Sequence, residues 1–108
     1  MKNSPAQQDG EEVVEIINNI IENNDFDLVV YTIDWHPLDH CSFITNVGKY
    51  PFHESSSIKA KDAKVFDKVI LQGEYVFEQI LWPQHCVQGS KGAELHPNLK
   101  VCYLLVSK

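Results

Sequence analysis

One six-residue run limits what this chain can fold into. Leu28-Val29-Val30-Tyr31-Thr32-Ile33 is apolar almost without interruption. A strand with one wet face alternates apolar and polar residues, because successive side chains point to opposite sides. A continuous run instead reads as a strand covered on both faces, the situation of a parallel strand between two helical layers. Such a strand needs neighbouring strands and a second helical layer. The chain offers one strong helix, a candidate strand at residues 101–106 and a weaker apolar run at residues 65–71. These are few parts for a three-layer α/β sheet, so the sequence reads as a single partial domain, residues 1–108, of a larger α/β unit.

The helix is marked by its own periodicity. Val13, Ile16, Ile17, Ile20 and Ile21 recur at helical spacing, and Glu11, Glu15, Asn18 and Glu22 take the other side. Asp9 followed by Glu12 predicts a capping box, and Asn23-Asn24-Asp25 ends the pattern. The expected role is a surface helix packed on the sheet. Between residues 46 and 79 the pattern degrades. Ser55-Ser56-Ser57 reads as a solvated loop, the mixed charges from Lys59 to Lys68 as a wet face, and Gly73-Glu74-Tyr75 as a turn. This stretch is read equally well as a lid or as a plain surface loop.

Composition excludes some partners. The hydrophobic fraction of 44% suits a globular fold. A net charge of −6 argues against a phosphate-backbone partner, so no nucleic acid is expected. No apolar run approaches the roughly 20 residues that cross a bilayer, and the first ten residues lack the apolar core of a signal peptide. Three cysteines without framework spacing suit reduced thiols, so the expectation is a cytoplasmic protein with no membrane partner.

Chemistry concentrates just after the apolar run, in Asp34-Trp35-His36-Pro37-Leu38-Asp39-His40-Cys41-Ser42-Phe43. Open α/β sheets place functional groups beyond the carboxyl ends of their strands. Asp34 and His36 are two apart and share a side in an extended segment. A second cluster, Leu81-Trp82-Pro83-Gln84-His85-Cys86-Val87-Gln88-Gly89, adds a third imidazole. Asp34, His36 and His85 together form a two-histidine, one-carboxylate set suited to zinc, iron or manganese, and His40 is a candidate fourth member. Three protein ligands leave positions open for water or substrate. His53 and His96 are read as non-ligands, in a polar loop and a turn. Cys86 beside His85 raises a Cys–His nucleophile as a weaker reading, because adjacent side chains point apart. Cys41 and Cys102 are read as small packing residues.

Taken together, Asp34-Trp35-His36-Pro37, His40 with Ser42-Phe43, residues 81–89 and Gly92-Ala93-Glu94-Leu95-His96-Pro97 resemble the nicotinamidase/pyrazinamidase branch of the isochorismatase-like hydrolases. The resemblance spans residues 4–100. It implies a three-layer α-β-α fold around a mainly parallel sheet, incomplete in this chain. It implies hydrolysis of nicotinamide to nicotinate and ammonia in NAD salvage, with one divalent metal ion, zinc foremost, and a small-molecule substrate. Asp34, His36 and His85 match the family's metal ligands, His40 a fourth ligand of some members, and Trp82 an aromatic wall of the substrate pocket. The family's catalytic aspartate, lysine and cysteine have no counterparts here, Lys108 included, and Cys86 matches a non-nucleophilic position. The expectation is therefore the metal-binding part of such an enzyme, inactive alone. The alternative is a non-catalytic metal-binding or interaction protein derived from that fold. Unpaired strand edges lead one to expect self-association.

Overall fold

The computed structural model describes residues 9–101. They fall into two compact units, one formed by Asp34–Glu94 and the other by residues 9–33 with 95–101.

The first unit is organised by a hairpin. Strand β1 (Lys68–Gln72) pairs antiparallel with strand β2 (Val76–Ile80), with Lys68 opposite Ile80 and Gln72 opposite Val76. The expected turn at Gly73-Glu74-Tyr75 closes it, with the Gly73 N–H donating to the Tyr75 carbonyl at 3.0 Å. Alternation along β1 sends Val69 and Leu71 inward, where they join Leu81 in the core. Ile44, Val47, Tyr50 and Phe52 pack on this cluster from the preceding loops. The stretch with the poorest sequence pattern thus contributes most of the packing. Ser56, expected in a solvated loop, is 2% exposed. Its hydroxyl donates to the Ile58 carbonyl at 2.7 Å and accepts from the Ile70 N–H at 3.2 Å, so it tethers its loop to β1.

Two single parallel bridges bring the chemically rich segments side by side. His36 pairs with Val87 and Phe43 with Trp82. The His36 N–H donates to the Cys86 carbonyl and the Gln88 N–H returns to the His36 carbonyl, both at 2.9 Å. The Trp82 N–H donates to Ser42 at 2.7 Å, and the Ile44 N–H to Trp82 at 2.8 Å.

The second unit holds helix α1 (Val13–Glu22), preceded by one 3₁₀ turn, Gly10–Glu12. The capping box does not form. Asp9 is left-handed at φ 62°, and its side chain makes no cap bond. Asn18 ties the helix to residues 95–101, donating to the Asn98 carbonyl and accepting the Lys100 N–H, both at 2.8 Å. Lys100 also pairs with Glu22, and the Tyr31 hydroxyl donates to the Lys100 carbonyl at 2.7 Å.

The expected strand at residues 28–33 is not formed; the segment is irregular. Leu28 and Val30 are 69% and 71% exposed. The helix stripe is also largely uncovered, with Ile16 58% exposed, and the buried residue of α1 is Val14. A strand covered on both faces exists only with ladder partners, and among the described residues this segment has none. The described sheet is antiparallel rather than mainly parallel. Most of the candidate strand at 101–106 lies outside the described residues.

Candidate metal centre

Asp34, His36 and His85 converge. Each offers one ligating atom, and these atoms lie within 4.8 Å of one another. The His36 and His85 ring centroids are 4.9 Å apart. The first parallel bridge explains why: it fixes His36 against residues 86–88, immediately beyond His85. Cys86 adopts φ 47°, a left-handed conformation uncommon for a residue with a side chain, which bends the backbone just after His85. The Gln88 side-chain amide donates to the Trp35 carbonyl at 3.2 Å and reinforces the same pairing. Trp35 itself is 52% exposed.

The three rings around Phe43 form a tight aromatic group. Phe43 is fully buried, and the His36, His40 and His85 centroids lie 5.5, 5.7 and 5.4 Å from its own. Asp34, His36 and His85 face a pocket of about 370 Å³ with His40, Ser42, Gln79 and Trp82. Trp82 is half-buried and packs edge-on against Phe66 at 5.4 Å.

Hydrogen bonding sets the chemistry of each imidazole. His85 Nδ1 lies 2.7 Å from the Pro83 carbonyl, which accepts only if Nδ1 carries the proton; the lone pair is then on Nε2. This is the arrangement of a metal-ligating histidine oriented by a backbone carbonyl. His36 Nδ1 is buried and, among the described residues, has no hydrogen-bond partner. A buried polar atom without a partner is costly, and a cation would supply one. His40 stands beside the triad, its ring 4.6 Å from that of His36, but it is not among the three converging groups. Burial pushes the His40 imidazole below its ordinary pKa, and the neighbouring His36 and His85 add to this.

The loop carrying His40 is held at several points. The buried Asn46 amide donates to the carbonyls of Leu38 and His40, each at 3.0 Å. The Tyr50 hydroxyl donates to the Asp39 backbone carbonyl at 2.6 Å. His53 and His96 lie elsewhere, bonded within local turns to Ser55 and to the Asn98 N–H. Among the described residues no cysteine lines the pocket. The Cys86 thiol donates to the Gly92 carbonyl at 3.3 Å, and burial, then the Asp34 charge, raises its pKa. Both effects oppose a thiolate. Cys41 packs on the core, as expected.

Gln79 escaped the sequence reading. The sequence carries no signal for it, because its place follows from the β2 register, in which Gln79 sits opposite the buried Val69 and shares its face.

No protein-family model matches the chain. It is 37% identical over 101 residues to a nicotinamidase of Acinetobacter baylyi, a match covering 91% of this chain and 38% of that protein. The nicotinamidase of Escherichia coli is 32% identical over 96 residues, covering 87% and 37%. That of Schizosaccharomyces pombe is 35% identical over 89 residues, covering 82% and 36%. The solved structure of an Acinetobacter baumanii nicotinamidase/pyrazinamidase superposes with a TM-score of 0.63 at 33% identity, over 89% of this chain and 38% of that one. Sequence and fold thus relate the chain to nicotinamidases, over a stretch of little more than a third of their length.

Proposed function

We propose that the chain is the metal-binding part of a nicotinamidase-type amidohydrolase, which converts nicotinamide to nicotinate and ammonia. On this reading it belongs to a three-layer isochorismatase-like domain that the described residues represent only in part. The observation that carries it is the convergence of Asp34, His36 and His85 on the pocket that also holds Trp82. The donor set is two imidazole nitrogens and a carboxylate oxygen, and the orphaned His36 Nδ1 fits a cation. Zinc is the first candidate, with iron or manganese next. When bound, such an ion supplies a Lewis-acid centre with open positions.

The chain's own residues do the rest. Asp34 contributes the negative charge that offsets the cation. The Pro83 carbonyl holds the His85 ring so that its Nε2 lone pair is free. Trp82 offers a flat apolar surface on which a pyridine ring can stack. Ser42 and Gln79 add polar groups to the same pocket. The pocket's described lining includes no thiol, and the Cys86 thiol is engaged elsewhere. The same observation favours a second reading, a metal-binding protein without catalysis.

Two measurements test the proposal. Equilibrium dialysis against zinc should give one ion per chain. Asp34→Ala or His36→Ala should weaken binding by more than ~100-fold, beyond the usual effect of losing an outer-shell partner. Equal binding by wild type and both variants would overturn the site. Ammonia release from nicotinamide by the 108-residue chain should stay at background. Turnover that Cys86→Ala abolishes would restore Cys86 as nucleophile.

A further inference from the structure

We infer that His40 is a hydrogen-bond donor aimed at an oxygen held in the Asp34–His36–His85 pocket, and not a fourth metal ligand. The inference deepens the metal reading of that pocket and rests on it. Its basis is the tautomer that the local fold imposes. The Ser42 backbone N–H donates to His40 Nδ1 at 3.3 Å, and the buried Ser42 hydroxyl lies 2.7 Å from the same nitrogen. A nitrogen that accepts a backbone N–H carries no proton. The neutral ring must therefore carry its proton on Nε2. A protonated Nε2 has no lone pair for a cation, and metal binding requires one.

His85 is the opposite case. Its Nδ1–H is turned to the Pro83 carbonyl, so its Nε2 is bare. Two imidazoles that line one pocket thus differ in their hydrogen bonding: His85 Nδ1 meets a carbonyl acceptor and His40 Nδ1 meets an N–H donor, which leaves a lone pair on His85 Nε2 and a proton on His40 Nε2. The backbone around His40 is fixed by Asn46 and Tyr50, and the ring itself is held by Ser42 at Nδ1. A second histidine outside the pocket has the same local geometry. In His53-Glu54-Ser55, the Ser55 N–H and hydroxyl lie 3.2 and 2.6 Å from His53 Nδ1, which repeats the geometry of His40-Cys41-Ser42. The acceptor is an oxygen of a water or carboxamide seated between the triad and His40, where an N–H positions it.

The test is ring-nitrogen NMR on the chain labelled with ¹⁵N-histidine, above the titration range of imidazole. In the metal-free chain, His40 should show the Nε2–H tautomer, like His53, and His85 the Nδ1–H tautomer. After loading with ¹¹³Cd²⁺, scalar coupling to the metal should appear at His36 and His85 and not at His40. An Nδ1–H tautomer at His40, or cadmium coupling to its Nε2, would overturn the inference. Cadmium coupling to none of these rings would instead remove the metal reading, while the metal-free spectrum still decides the state of His40.

Discussion

The two units of this chain treat their apolar residues in opposite ways. In Asp34–Glu94, Phe43, Val69 and Leu81 are at most 1% exposed. In residues 9–33 and 95–101, Ile16, Leu28 and Val30 are each more than half exposed. Ile17, Ile20, Leu28, Val30, Leu95 and Leu99 instead help to line an open apolar groove of about 560 Å³. The difference lies in the kind of strand each unit requires. β1 finds its partner within the same short segment, because an antiparallel pair closes through a tight turn. A strand covered on both faces needs parallel neighbours, and each of those requires a crossover of about a dozen residues or more. One unit is satisfied by local sequence. The other depends on long-range pairing.

The largest expected effect tests that contrast directly. Leu81→Ala removes a side chain that is 1% exposed from the hairpin core, and should cost about 2–5 kcal/mol in urea unfolding. Ile16→Ala removes a side chain that is 58% exposed, and should change stability by no more than ~0.5 kcal/mol. Similar losses from both would mean that the helix stripe is packed as firmly as the hairpin core. Amide hydrogen exchange sharpens the result, since β1 and β2 should exchange more slowly than α1.

Zinc should separate the units next. At 100 times its dissociation constant, a ligand that binds only the folded form adds about 2.7 kcal/mol. All three proposed ligands lie in Asp34–Glu94. Protection of the β1 and β2 amides should therefore rise with zinc while that of α1 stays unchanged. A rise in α1 alone would break the comparison.

The site was more legible in the sequence than the fold. Spacing puts Asp34 and His36 on one side of an extended segment, but what joins them to Trp82-Pro83-Gln84-His85 is the resemblance of both segments to nicotinamidases; their convergence follows once the two segments lie side by side. The pairing that aligns them, His36 with Val87, depends on contacts distant in sequence. The tautomer inferred for His40 could not be read either, because the inference starts from where the Ser42 N–H points. Residues 28–33 misled for a physical reason. Their composition states what environment the segment suits, and among the described residues that environment is not formed. Ser56 misled in the other direction. Three consecutive serines look solvated, yet Phe52 and Ile58 on either side both pack on the core.

Ser56 gives the third prediction. Ser56→Ala would leave the Ile70 N–H and the Ile58 carbonyl without the partner they share, at a cost of about 1–3 kcal/mol. Ser55→Ala, one residue away and exposed, should be nearly neutral. Equal effects in paired denaturant melts would mean that the hydroxyl does not tether the loop.

The smallest effect is one of pH. Burial raises the Cys41 thiol above its ordinary pKa of 9.0. The unfolded chain then releases this proton first as pH rises, so between 9.0 and the raised value the folded state binds more protons. Stability contributed by Cys41 is therefore complete below that window and falls through it. The thiol is only half-buried, so the slope should be shallow. Melts across this range should show the decline in wild type and a shallower one in Cys41→Ala, because Cys86, also raised by burial, supplies the remainder; the alanine also leaves a small gap beside the core. Cys41 packs on the hairpin cluster of Val69, Leu71 and Leu81. The decline should accordingly appear in the β1 and β2 amides and not in α1. A decline of equal size in α1 would show that the two units unfold as one.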